Sequence, residues 1–159
     1  MDRIQVLDEV LPDPHGYRSK ALAQTFSDVT LGHDTFRGIA SCDDPTVALA
    51  AAHAVPGAEP TMTFFRKSPH GQREPNFIHS DEMMGNWTGI YYMNPEPPAG
   101  DGTAFWMRDG VKRGPFTPEV AALGQSPAGW DWWHRVDAKF NRLVLFASDL
   151  FHSRAIPGN

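Results

Sequence analysis

Phe77-Ile78-His79-Ser80-Asp81 and, further along, Asn141-Arg142-Leu143-Val144-Leu145-Phe146-Ala147-Ser148-Asp149-Leu150-Phe151-His152 are the stretches from which the rest of the chain is read. Strand side chains alternate between faces, so a strand through residues 77–81 turns Phe77, His79 and Asp81 to one side. The later stretch reads as a β-rich run, a polar break suited to a tight turn, and a short strand ending in His152. With 7 histidines and 19 acidic residues, a chance His-x-Asp is common in this chain. The alternating apolar context is what distinguishes this one from a solvated loop pair.

Two imidazoles and one carboxylate leave half of an iron(II) coordination sphere open. His79, Asp81 and His152 are therefore the candidate metal ligands, and non-haem iron oxygenation is the expected chemistry. Outward from the His-x-Asp segment, Thr61–Arg66 is expected as the preceding strand and residues 68–75, dense in Pro, Gly and charge, as the loop between. Strands are expected again over Trp87–Met93 and Thr103–Arg108, separated by the turn-rich residues 94–102. Asp109-Gly110 signals a two-residue hairpin into Val111-Lys112-Arg113, and Thr117-Pro118-Glu119 a helix start. Before residue 60 the pattern predicts a short strand over residues 4–14, an amphipathic helix over 15–28 and a second helix over Pro45–Ala54 capped by Asp43 or Asp44.

The segments Ile78-His79-Ser80-Asp81, Gly89-Ile90-Tyr91-Tyr92-Met93-Asn94, Gly100-Asp101-Gly102-Thr103-Ala104-Phe105-Trp106, Asn141-Arg142-Leu143-Val144-Leu145-Phe146 and His152-Ser153 follow one another in a telling order. In that order they resemble the iron(II)/2-oxoglutarate-dependent oxygenase superfamily, prolyl-4-hydroxylase-like branch. The resemblance spans roughly residues 60–159. It implies a mainly β chain with flanking helices folded as a double-stranded β-helix, or jelly roll. The expected organisation is one domain over residues 1–159, with 1–59 a helical lead-in and 60–159 the core.

The same resemblance implies Fe(II) on His79, Asp81 and His152, 2-oxoglutarate as cosubstrate, ascorbate as an accessory reductant, and hydroxylation of a substrate with release of succinate and carbon dioxide. Tyr92 falls where the family's second strand tyrosine contacts the distal carboxylate of 2-oxoglutarate. The family's basic anchor, an Arg or Lys on the strand after the distal histidine, has no counterpart here. Either Arg154, two residues beyond His152, substitutes for it, or the chain lacks the last strand after Pro157-Gly158-Asn159, which resembles a turn into another strand. The second account is the one expected, with an unpaired sheet edge as its consequence. Arg66 and Arg108 are the next candidates for the basic group. A catalytically silent jelly-roll scaffold that retains the metal site is the alternative function, and a cupin-type metal protein working without 2-oxoglutarate is a third.

At 159 residues the chain fits one domain able to bury a continuous core. Its formal charge of −5 argues against nucleic acid as partner, because a phosphate-tracking surface needs clustered Lys and Arg. Cys42 is the single cysteine, which excludes an internal disulfide and fits a reducing compartment. No apolar run approaches the ~20 residues of a membrane span, and Met1-Asp2-Arg3 opens onto acidic sequence. A cytoplasmic protein acting on a small molecule or peptide is the expectation, with oligomeric state open.

The remaining conspicuous residues are read more plainly. Trp130, Trp132 and Trp133 are expected to plug one side of the barrel rather than to form a substrate platform. His134, His15, His33, His53 and His70 have no carboxylate at matching spacing, and Cys42 has no basic activator beside it. Substrate choice is expected to lie in residues 67–76, 82–87 and 94–102 around the barrel mouth.

Overall fold

The chain is described from a computed structural model, which covers residues 3–155. In chain order its elements are β1 (Ile4–Leu7), α1 (Pro14–Leu22), β2 (Ser27–Leu31), β3 (Asp34–Ser41), α2 (Thr46–Ala54), β4 (Phe64–Arg66), β5 (Trp87–Tyr92), β6 (Gly102–Met107), α3 (Pro118–Leu123), β7 (Asp131–Asp137), β8 (Arg142–Ala147) and β9 (His152–Arg154). A single 3₁₀ turn, Glu82–Met84, precedes β5. The fold is mainly β, with three antiparallel sheets in strand orders β1-β8-β5, β2-β3-β4 and β7-β6-β9.

The first and third of these sheets share one core. Val144 and Phe146 of β8 pack with Phe105 of β6 and Val136 of β7, and the Phe105 and Phe146 rings meet edge to face at 5.0 Å. Leu143 to Phe146 are all buried, which explains why this run is continuously apolar instead of alternating. Around this core the antiparallel pairs are nested. Residue 79 pairs with His152 of β9, β5 pairs with β8, and β6 pairs with β7, so each pair encloses the next along the chain. The β6·β9 ladder then joins the innermost pair to the outermost. Gly102 opens β6 at φ +150°, and a Cβ there would stand 2.1 Å from the Val136 carbonyl oxygen, so only glycine lets β6 approach β7 this closely.

Outside this core, α1 begins at Pro14, and the Asp13 carboxylate caps it by accepting from Gly16 N at 2.9 Å. Tyr17 and Ala21, one turn apart, bury against Ala40 and Phe65 of the β2-β3-β4 sheet. Asp44 holds the start of α2 by accepting from Thr46 N at 3.0 Å.

Several expectations are corrected here. The first helix stops at Leu22, and Ser27–Leu31 and Asp34–Ser41 form a hairpin, so the described residues before 60 hold three strands as well as two helices. Most of β2 is exposed, hence it has no apolar alternation to read. Residues 77–81 form no regular strand, only the single bridge at His79. His152 opens β9 instead of ending a strand. Of the tryptophans, Trp130 is buried and Trp133 packs partly on the core, whereas Trp132 is 63% exposed and plugs nothing. Residues 156–159, on which the expectation of a following strand rested, lie outside the described residues.

Candidate metal centre

The ligand segment is held by backbone on two sides. Ile78 N donates to Gly124 O at 2.8 Å, Asp81 N donates to Ser148 O at 2.7 Å, and His79 and His152 exchange both backbone hydrogen bonds at 3.1 and 2.9 Å. Gly124, just past α3, lies so near this segment that an added Cβ would be 2.1 Å from the Ile78 carbonyl oxygen. Residues directly opposed in an antiparallel pair point to the same face, and Asp81 follows His79 by two. All three side chains therefore converge although no full strand carries the first two.

One ligand atom from each of His79, Asp81 and His152 lies within 4.8 Å of the others, an arrangement that can hold a metal ion. His79 Nε2 is 3.6 Å from Asp81 Oδ1, and His152 Nε2 is 3.3 Å from Asp81 Oδ2. Ligands each about 2.1 Å from one ion and at right angles stand roughly 3 Å apart, so the spacing suits a shared ion after a slight contraction. The His152 side chain is 5% exposed while His79 and Asp81 keep 29% and 20%, which leaves one flank of the cluster open.

The orientation of the rings matters as much as their spacing. His79 Nδ1 faces Phe77 O at 3.2 Å and His152 Nδ1 faces Leu150 O at 2.8 Å. A carbonyl oxygen only accepts, so each Nδ1 carries a proton and each Nε2 is turned to the centre. Burial first, and the neighbouring His152 second, push His79 down to about 4, so it is neutral at pH 7. Burial would raise Asp81, but the His152 contact, the two imidazoles and the Thr88 hydroxyl overcome it and hold the carboxyl at about 2. Two imidazole nitrogens facing one carboxylate make this centre a place that suits a cation.

A second layer orients the carboxylate. Thr88 Oγ1 donates to Asp81 Oδ2 at 3.0 Å, and Ser148 Oγ lies 3.0 Å from Thr88 Oγ1. Thr88 has one proton and gives it to a group that can only accept, so Ser148 donates to Thr88. The Phe146 ring packs edge to face on His152 at 4.7 Å, and Phe116 stands similarly over His79 at 6.4 Å.

Beyond His152 on the same face of β9 lies Arg154, opposite Thr103 of β6. Thr103 Oγ1 is 2.6 Å from the Tyr92 hydroxyl, which burial pushes up to about 12. Tyr92 thus sits beside Arg154, on the β5 face that carries Thr88, while Tyr91 turns the other way and donates to Asn141 Oδ1 at 2.7 Å. The buried Glu74 carboxylate joins this neighbourhood from the 67–76 loop. Its Oε2 is 2.5 Å from Arg66 Nη2, and its Oε1 is 4.0 Å from Arg154 Nη1. Arg66 Nε, Arg154 Nη1, Glu74 Oε1 and Gln72 Nε2 are buried without a hydrogen-bond partner. Two guanidiniums against one carboxylate leave one positive charge in excess.

The structure brings together His79, Asp81 and His152, and places Tyr92 and Arg154 in one neighbourhood. It places His134 elsewhere, stacked on Trp133 at 5.7 Å and tilted toward Phe105 at 5.9 Å. Thr88, Ser148 and Glu74 were not anticipated. Thr88 was findable, since it shares the β5 face of Tyr92 by period two, whereas Glu74 sits in a loop that has no periodicity. The cleft lined by Asp28, Arg37, Lys67 and Gln72 shares no residue with the metal cluster. Among the described residues no helix is long and apolar enough to cross a membrane. No family model, curated protein or solved structure matches the chain.

Proposed function

We propose that this chain is an iron(II)- and 2-oxoglutarate-dependent oxygenase built on a jelly roll, similar to the prolyl-4-hydroxylase-like branch. The observation that carries the reading is the convergence of two Nε2 atoms and a carboxylate beside a half-buried arginine pair with one positive charge in excess. The nested pairing around β6 and β7 supports the fold, because a jelly roll is a long antiparallel hairpin wound onto itself across two facing sheets.

Charge balance favours a dianionic cosubstrate. A divalent ion on a triad with one carboxylate leaves +1, the Arg66–Glu74–Arg154 cluster adds +1, and a dicarboxylate neutralises both. When bound, iron(II) supplies dioxygen chemistry in which 2-oxoglutarate is oxidised to succinate and carbon dioxide while one substrate C–H becomes C–OH. The chain's own residues bind and orient. His79, Asp81 and His152 hold the ion, Thr88 and Ser148 fix the Asp81 carboxylate, and Arg154 with Tyr92 receives the far carboxylate of 2-oxoglutarate. Arg154 suits this role because a guanidinium grips a carboxylate with two parallel donors.

The optical spectrum of anaerobic protein with iron(II), recorded with and without 2-oxoglutarate, tests the reading. A charge-transfer band that requires both ligands is expected. Tight iron(II) binding with a spectrum indifferent to 2-oxoglutarate overturns it. The placement of Glu74 against Arg154 favours a second reading, a silent scaffold whose carboxylate site is permanently filled. In that case iron(II) binds and no succinate forms with any substrate.

A further inference from the structure

The geometry around Glu74 points to an internal surrogate for a ligand. We propose that the Glu74 carboxylate occupies the Arg66–Arg154 pair in the resting protein and that an incoming carboxylate displaces it, carrying the 67–76 loop outward. The inference rests on the reading that a carboxylate ligand binds beside the metal cluster.

Glu74 is too well buried to be a surface ion pair, with its side chain 7% exposed. Yet it satisfies its partners poorly. A carboxylate meeting guanidinium at its best makes two parallel hydrogen bonds. Glu74 makes one, through Oε2 to Arg66 Nη2, and leaves Arg66 Nε and its own Oε1 without partners. Toward Arg154 it stops at 4.0 Å, so Arg154 Nη1 is left buried and unpaired. Gln72 Nε2, two residues away on the same loop, is a further buried donor with none. Buried polar atoms are normally paired, and several orphans in one cluster mark a group standing in for something that fits better.

The loop is pinned at its ends and lightly held between them. Lys67 N donates to Gly38 O at 2.8 Å, Asn76 Nδ2 to Asp34 Oδ2 at 3.1 Å and Gln125 Nε2 to Pro75 O at 3.0 Å, whereas between these ends the backbone makes one internal contact, Gln72 N to Pro69 O at 3.2 Å. Arg66 ends β4 and Arg154 lies on β9, both in strands that the sheets fix. Displacement therefore moves the carboxylate and leaves the arginines in place.

Two measurements on the full chain loaded with manganese(II) test this, using 2-oxoglutarate as the probe. Titration calorimetry should show Glu74→Gln binding 2-oxoglutarate at least about tenfold more tightly than the wild type, since no anion has to leave, while Arg154→Ala loses binding in either background. Hydrogen exchange on the wild type should speed up across residues 67–76 when 2-oxoglutarate is added, against the usual protection by a ligand. This second readout separates displacement from a simple gain of positive charge and does not depend on the variant folding. If the wild type binds 2-oxoglutarate while Glu74→Gln binds it no better and the loop becomes protected, the surrogate role is overturned and the oxygenase reading stands. If neither chain binds 2-oxoglutarate, both fall.

Discussion

The Thr88 hydroxyl has one proton, and Asp81 receives it. Thr88→Val keeps the shape, removes that donor and strands the Ser148 hydroxyl, which is 1% exposed. Metal affinity is expected to fall roughly 10–100-fold, as loss of an outer-layer partner does elsewhere, while Thr88→Ser retains it. Manganese(II) titration checks this, with Asp81→Ala as the null binder and His134→Ala unchanged. His79 carries a pH signature of its own. His79 titrates at about 4 folded against an ordinary 6.5, so between these values the unfolded chain binds more protons than the folded one. Stability of the metal-free protein therefore rises with pH through that window and is lost as pH falls toward 4. Asp81, held at about 2 against 3.8, extends the loss to lower pH in the same direction. Chemical denaturation from pH 7 down to 4 should show the decline, and His79→Gln should flatten its upper part.

At the scale of elements, the turn after α3 positions the first candidate ligand. Gly124→Ala places a methyl group into the Ile78 carbonyl, so that carbonyl must shift, and His79 is the next residue. A stability loss of about 1–3 kcal/mol is expected from the crowding, together with weaker manganese(II) binding. Thermal melts and titration of the same sample separate the two effects. This dependence could not be read from the chain, because Gly124 and Ile78 meet only through the fold. What was legible had local causes. β5, β6 and β8 were anticipated nearly to the residue because Val, Ile, Phe and Tyr cluster there between turn formers, and the Asp109-Gly110 hairpin forms as its positive φ angles of 52° and 78° demand. The β2-β3 hairpin was missed because its strands face solvent. His79 and Asp81 were recognised through an alternation that the chain achieves with one bridge pair, so the convergence was right and the strand was not. Arg154 was to share a face with His152 if the strand continued, the account not favoured, and β9 does run to it, but its meeting with Glu74 spans loop and sheet and leaves no mark in the sequence.

For the molecule as a whole, core and site share a residue. Phe146 lies in the core shared by the first and third sheets and its ring packs on His152, so Phe146→Ala should cost about 3–5 kcal/mol in the metal-free protein and weaken metal binding as well. Equilibrium unfolding with and without manganese(II) measures both. The wild type should gain about 2.7 kcal/mol at a hundredfold excess of metal over its dissociation constant, and Asp81→Ala nothing. The bridge pair between residue 79 and His152 has a final consequence. Residues 77–81 lack the long ladder that secures β5 or β6 and are held instead by four backbone hydrogen bonds shared among residues 124, 148 and 152. An ion bound to His79, Asp81 and His152 acts as a clasp across that seam, fastening two distant stretches of chain much as a cross-link does. The lifetime of the protein against a protease then follows the residence time of its metal, and a chelator should shorten it before any global unfolding is seen.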